Sequence, residues 1–277
     1  MSKITYADKE YIYKNDEIPA INKITDDDMN EIKSVVNEID TNVSAGWISS
    51  NETWTYASVD NPTGVITISG DKTSKYSLGM KIKFKNAANV IYGFITKINY
   101  SSPNTTLTFL HEINPSTSQA LHLMTNSAIT ENYYSTVKSP YGFPLDKTKW
   151  SITHQILTTA NLNNSGYSTI DTARVPVGLW SLTCKMMLGQ TISSQVNATI
   201  GWSTSSTSWS NNKYKLFGSV KLSGNIFEML VSPCNIIETT SKTTWYWICQ
   251  VSFGTPSAIQ NTATIVPSEY AFECAYL

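Results

Sequence analysis

The apolar positions of this chain follow two periods. Between Thr25 and Val43 they fall at Met29, Ile32, Val36, Ile39 and Val43, spacings of three and four that lay one stripe along a helix. Thr25 stands where an N-cap hydroxyl accepts a backbone N–H, and Asp28 three residues on completes a capping box. Asp26, Asp27 and Asp28 set negative charge at the positive end of the helix dipole. With Met29, Val36 and Val43 at a and Ile32 and Ile39 at d, the seam is largely β-branched, a pattern associated with more than two strands. Val35 widens the stripe and two heptads are short, so an ordinary core-facing helix fits the same residues.

Beyond Gly46 the period changes to two. Met80-Lys-Ile-Lys-Phe-Lys85 alternates without error, which predicts a strand with Lys81, Lys83 and Lys85 on a wet face. Val65 to Ser69, Phe94 to Tyr100, and Leu107 with Phe109 add further strands, punctuated by Asn61-Pro62, Ser69-Gly70-Asp71 and Ser102-Pro103-Asn104. Short strands at this spacing predict a small antiparallel β-barrel over residues 47–132. Residues 133–149, containing Ser139-Pro-Tyr-Gly-Phe-Pro144, read as an ordered Pro and aromatic-rich linker. Over residues 150–277 one face collects Trp180, Leu182, Cys184, Met186 and Leu188, then Val196, Ala198, Ile200 and Trp202, then Trp245, Trp247, Cys249, Val251 and Phe253. Strands covering a core on one side in this way predict a jelly-roll-like β-sandwich. The fold class is therefore mainly β, with a short N-terminal α-helix acting as a coiled coil. Residues 1–46 hold that helix behind an extended arm, which Pro19 keeps from continuing it.

Composition narrows the functional classes. Charged residues are 15% of the 277, the net charge is -1, and Arg174 is the only arginine, which argues against a general polyanion-binding surface. Alternation puts the aromatics opposite the three lysines of the barrel strand, so these lysines read as a solvated edge rather than a nucleic-acid platform. Cys184, Cys234, Cys249 and Cys274 lack short spacings and read as free thiols, three of them on apolar faces, suited to a reducing cytoplasm. No stretch has the apolar length of a signal peptide core or a membrane span, so export by the ordinary secretory route and membrane insertion are not expected.

Candidate chemistry is sparse. His111, His122 and His154 are scattered, with no metal-ligand spacing to one another or to a cysteine or carboxylate. No phosphate loop, nucleophile elbow or zinc-helix motif is present. The C-terminal region offers Asp171, Glu228, Glu238, Glu269 and Glu273, a thin supply for the carboxylate pair that glycoside cleavage needs. No catalytic residue, metal or cofactor is expected. Binding remains, carried by aromatic rings with Ser, Thr and Asn hydroxyls and amides. Trp180, Trp202, Trp245 and Trp247 lie on core faces, whereas Trp209 sits in a loop of Ser and Thr; with Tyr214 and Tyr167 it is the candidate ligand contact.

Several stretches resemble a known class together. Residues 23–37 resemble the N-terminal helix of tail-fibre and baseplate-associated proteins of bacteriophages. Trp54-Thr-Tyr-Ala-Ser58, Ser69-Gly-Asp-Lys-Thr73 and Gly79-Met-Lys-Ile-Lys83 look like the small β-module that follows it, and Ser139 to Pro144 like the connector to a variable tip. Val175-Pro-Val-Gly-Leu-Trp180, Thr243-Thr-Trp-Tyr-Trp247 and Cys274-Ala-Tyr-Leu277 are similar to strands of phage receptor-binding tips. The resemblance implies a homotrimer assembled in the host cytoplasm, joined to other virion tail or baseplate proteins by its N-terminus. Its sandwich tip, residues 150–277, would touch a host cell-surface glycan. A purely structural virion component, a head fibre or baseplate connector, is the alternative, and a polysaccharide depolymerase stands third.

Overall fold

The computed structural model describes residues 26–38, 45–156, 160–162, 167–190, 196–208, 215–220, 227–231, 235–253 and 263–276. The protein is mainly β, with antiparallel sheets and one helix of three turns among these residues. Helix α1 (Asp26–Glu38) opens with its three aspartates. Met29 and Val36 are 53% and 55% exposed and Ile32 is half-buried, so the stripe faces outward in the single chain. The Thr25 cap, Ile39 and Val43 lie outside the described residues, as does the arm over residues 1–24.

The first β unit contains β1 (Ile48–Ser49), β2 (Trp54–Asp60), β3 (Thr63–Ser69), β4 (Lys81–Asn86), β5 (Asn89–Ser101), β6 (Asn104–His111), the short hairpin β7 (Ile113–Asn114) and β8 (Gln119–Ala120), and β9 (Ile129–Ser135). Seven of these form one antiparallel sheet in the order β1-β9-β4-β5-β6-β3-β2. The sheet rolls up because its alternating apolar residues share one inner face. Trp54 on the last strand meets Phe84 of β4 edge-on at 5.9 Å, and Phe84 meets Phe109 of β6 at 5.5 Å. Ser50 N–H donates to the Asn132 carbonyl and Asn132 Nδ2 to the Glu52 carbonyl, tying the approach to β2 onto β9. In place of the expected small barrel stands this open sheet, whose end strands β1 and β2 do not pair with each other.

The lysine strand departs from its expected setting. β4 is an interior strand between β9 and β5, and its second face is covered. Lys81 is buried, with Nζ 5.1 Å above the Phe94 ring and 5.4 Å above Phe143. Lys83 Nζ lies 4.8 Å above Trp47 and 4.6 Å above Tyr133. Burial lowers both ammonium pKa values from their ordinary range, with Lys138 adding repulsion at Lys81. Only Lys85 is exposed, paired with Glu131 at 3.5 Å. The aromatics expected opposite the lysines therefore also lie beneath them, since Trp47, Tyr133 and Phe143 arrive from other segments.

The second unit begins at a 3-10 turn (Lys147–Trp150), capped by Asp146, whose carboxylate accepts the Thr148 N–H at 3.0 Å. Its strands are β10 (Ser151–Ile156), β11 (Ala160–Leu162), β12 (Tyr167–Val175), β13 (Gly178–Gln190), β14 (Val196–Ser203), β15 (Lys215–Val220), β16 (Phe227–Val231), β17 (Asn235–Thr239), β18 (Thr243–Phe253) and β19 (Ala263–Cys274). β10 and β11 both pair with β19, and β16 and β17 both pair with β13, so each couple fills one place. The remaining pairings nest: β12 with β18, β14 with β15, while β19·β13 and β18·β14 complete two sheets. First pairs with last, second with next to last, and so inward. That is a long hairpin wrapped into two facing sheets, the jelly roll.

Between the sheets Trp202 stacks on Trp247 at 5.9 Å, with the Tyr270 and Phe272 rings each edge-on to Trp202 at 4.8 Å. Cys249 and Cys274 are buried free thiols, their pKa values pushed up to about 12 by burial. Cys234 and the Cys184 side chain lie outside what is described. The jelly-roll core continues into the first unit through Phe94, Leu110 and Ile113, which join Phe143, Trp150 and Trp180 in one cluster.

Gly93 of β5 faces His111 of β6, and a Cβ there would lie 2.7 Å from the Leu110 carbonyl oxygen, which the ladder holds in place. Gly93→Ala is expected to cost about 1–3 kcal/mol, read as a lower urea midpoint at unchanged slope. His111 is buried; its Nδ1–H donates to the Pro62 carbonyl at 2.8 Å and its Nε2 accepts the Met124 N–H at 3.2 Å. Burial lowers its pKa from 6.5 to about 4. The unfolded chain therefore takes up the proton first as pH falls, so the stability tied to neutral His111 is complete above about pH 6.5 and is lost toward pH 4. The loss is on the order of 3 kcal/mol. The gap in urea stability between the natural chain and His111→Gln should narrow over that window.

Candidate functional site

The turn between β2 and β3, the β7–β8 hairpin, β10, β12 and the segment before β18 converge on an open cleft of about 630 Å³ between the two units. Such a volume suits a small ligand or a few sugar rings. Two carboxylates border it, and both are engaged. Asp60 accepts from Lys242 Nζ at 2.6 Å, and the same ammonium donates to the Asn61 carbonyl at 2.9 Å, strapping the jelly roll to the rolled sheet. Asp171 receives the His154 Nδ1–H in a short contact, the Thr172 N–H at 2.7 Å and the Tyr270 hydroxyl.

Topology makes this cluster. β10 pairs with β19 so that His154 stands directly opposite Tyr270, and the two rings meet edge-on at 5.7 Å. Tyr270 then reaches Asp171 on β12, a strand of the facing sheet. β12 carries a register shift between Thr169 and Asp171, and such irregularities turn a strand's side chains toward a rim. The Tyr270 ring is buried; burial first, then the charge of Asp171, push its hydroxyl pKa far up, so it stays a donor. With Nδ1–H committed to Asp171, the second ring nitrogen of His154, a half-exposed side chain, is left for the cleft. Arg174 is exposed on the same wall and makes no hydrogen bond or ion pair with any described residue.

Of the residues expected to contact ligand, Tyr167 is the one that falls among the described residues. Tyr167 opens β12, partly exposed, seven residues from Arg174. From Asp171, the nearest β12 residue of the cleft, it is four residues, about 13 Å along the strand, and Tyr167 does not border the cleft. Trp209 and Tyr214 lie outside the described residues. The other seven tryptophans are all buried. Among the described residues no tryptophan is exposed to stack on a ligand, and the cleft offers polar contacts instead. His154, Asp171, Arg174, Lys242 and Tyr270 were not joined by sequence reasoning, since they are distributed over 117 positions and meet only through strand pairing across two sheets. The single arginine was the one signal available. Among the described residues no group of three or more His, Cys, Asp and Glu could hold a metal ion, and no helix is long and apolar enough to cross a membrane.

Removing Asp171 leaves the Tyr270 hydroxyl buried without its acceptor, and Asp171→Ala should cost about 1–3 kcal/mol in urea unfolding. The double variant with Tyr270→Phe removes both partners and should recover part of that loss, measured as a non-additive cycle.

No protein-family model matches the chain, and comparison with curated proteins finds no match. Among solved structures the chain is similar to infectious bursal disease virus, Gx strain, at 12% identity and TM-score 0.33, covering 81% of this chain and 57% of that one. It is similar to the VP2 subviral particle of the same virus at 10% identity and TM-score 0.34, covering 87% and 77%. It is also similar to the CBM22-1-CBM22-2 tandem domain of Xyn10C from Paenibacillus barcinonensis at 7% identity and TM-score 0.22, covering 86% and 96%. Overlaps this loose carry no functional argument.

Proposed function

We propose that this chain is a virion attachment protein, a homotrimeric phage tail fibre or receptor-binding protein that holds a host surface glycan weakly at three equivalent sites. The observation that carries the reading is the helix stripe: Met29 and Val36 are more than half exposed at spacings that suit a seam between helices. A two-heptad seam is too short to hold a trimer alone, so the β body shares the burden of association. Avidity follows from geometry, because linked sites raise the effective concentration of each second contact without any tight single site.

The polar cleft fits the binding half of this reading. Hydroxyls and amides such as Thr117, Gln119 and Thr153 border it, groups that match sugar hydroxyls at little desolvation cost. We propose no enzymatic role. Asp60 and Asp171 are each committed to a basic partner, and His154 hydrogen-bonds to Asp171 rather than to a hydroxyl or thiol nucleophile among the described residues. The N-terminal region would join other virion tail or baseplate proteins, with no nucleic acid, membrane or cofactor involved.

Sedimentation should give about three times the 30.7 kDa chain mass at micromolar concentration. Ile32→Asp should weaken assembly while the β units keep their unfolding transition, because an unpaired carboxylate in a dry seam costs far more than one in water. Purified trimer should bind host cells and block infection; a monomer that does neither removes the reading.

A further inference from the structure

The charged groups bordering the cleft are not all paired. Its two acids are both satisfied internally, Asp60 by Lys242 at 2.6 Å and Asp171 by His154, Thr172 N–H and Tyr270. Lys242 is held by Asp60, so the charged side chain of the border that makes no hydrogen bond or ion pair with a described residue is the exposed guanidinium of Arg174, three positions along β12 from Asp171. Guanidinium is the side chain best shaped for two-point capture of a carboxylate, and this chain places its one arginine here. Around it stand neutral hydrogen-bonding groups. The Asn61 side-chain oxygen accepts the Ala120 N–H at 2.8 Å, which fixes the hairpin carrying Gln119 and leaves the Asn61 amide nitrogen uncommitted.

We infer that the cleft is a subsite for an acidic saccharide, with Arg174 gripping a sugar carboxylate and the surrounding amides and hydroxyls reading its hydroxyls. This rests on the glycan-binding reading and sharpens it. An acidic peptide would share the carboxylate and could lie along the β10 or β12 edge, but that mode also draws on pockets for its alternate side chains. The ring of Tyr270, the aromatic group of the cleft, is buried and offers no such pocket. The scaffold is rigid where it matters: His154 and Tyr270 are fixed by Asp171, and Lys242 pins the opposite wall.

The test is calorimetric titration of the full chain with a trisaccharide of galacturonic acid, the same trisaccharide methyl-esterified, sialyllactose and a tetraglutamate peptide. The inference expects the free acid to bind at least about tenfold tighter than its ester, with affinity falling as salt rises. Arg174→Ala should abolish that preference, Arg174→Lys should restore it in part as a point charge, and both should keep the natural urea midpoint because the side chain is exposed. Equal binding of acid and ester, a preference that survives in Arg174→Ala, no binding of either acidic sugar, or equal binding of the peptide each overturns the assignment. Host-cell adhesion is measured in parallel. Adhesion that persists unchanged in Arg174→Ala leaves the attachment reading standing while this subsite falls, and adhesion lost already in the natural chain removes the attachment reading itself.

Discussion

The fold depends on one aromatic junction. Phe143 lies flat on Trp150 at 5.2 Å, and Phe94 presents an edge to both rings, at 5.1 and 4.6 Å. Phe94 belongs to the rolled sheet, Phe143 to the connector, and Trp150 to the turn that starts the jelly roll. Each fully buried large apolar side chain contributes roughly 1.5–3 kcal/mol, and well-oriented ring pairs add about 0.5–1.5 more. The Trp150 indole N–H donates to the Pro144 carbonyl at 2.7 Å and that of Trp47 to the Tyr141 carbonyl at 2.9 Å, so burying these rings strands no donor. A connector held on both sides in this way is a structural element, and the two β units share a core.

Once the junction is fixed, the cleft follows from it. The β2–β3 turn and the β7–β8 hairpin are brought against the rim of the jelly roll, and Lys242 bridges the gap to Asp60. A surface ion pair of this kind is worth little by itself, since Asp60 remains well exposed. Its role is geometric: it holds two walls that the aromatic junction has already set side by side. Jelly rolls serve many unrelated purposes, so function follows from the residues on the cleft walls and from the outward helix stripe rather than from the fold.

The lysine strand teaches how alternation can mislead. Period two told which side chains share a face, and on β4 it did so correctly, with Ile82 and Phe84 buried in the rolled core. It said nothing of what covers the other face. Lysine tolerates such cover because its apolar stem can lie along rings while the ammonium rests on their faces, as at Lys81 and Lys83.

Local physics, written in the sequence, determined the helix period and its acidic start, the two β regions and the core tryptophans. These depend on spacing, turn chemistry and capping, which act over a few residues. The arrangement of strands did not appear there, because the nested pairing joins β10 to β19 over more than a hundred positions and β13 to β19 over more than seventy. The same is true of the cleft. Nothing near His154 in the chain announces Asp171, and nothing near Asp171 announces Tyr270. Their meeting is a product of register across two sheets, which only the tertiary structure decides.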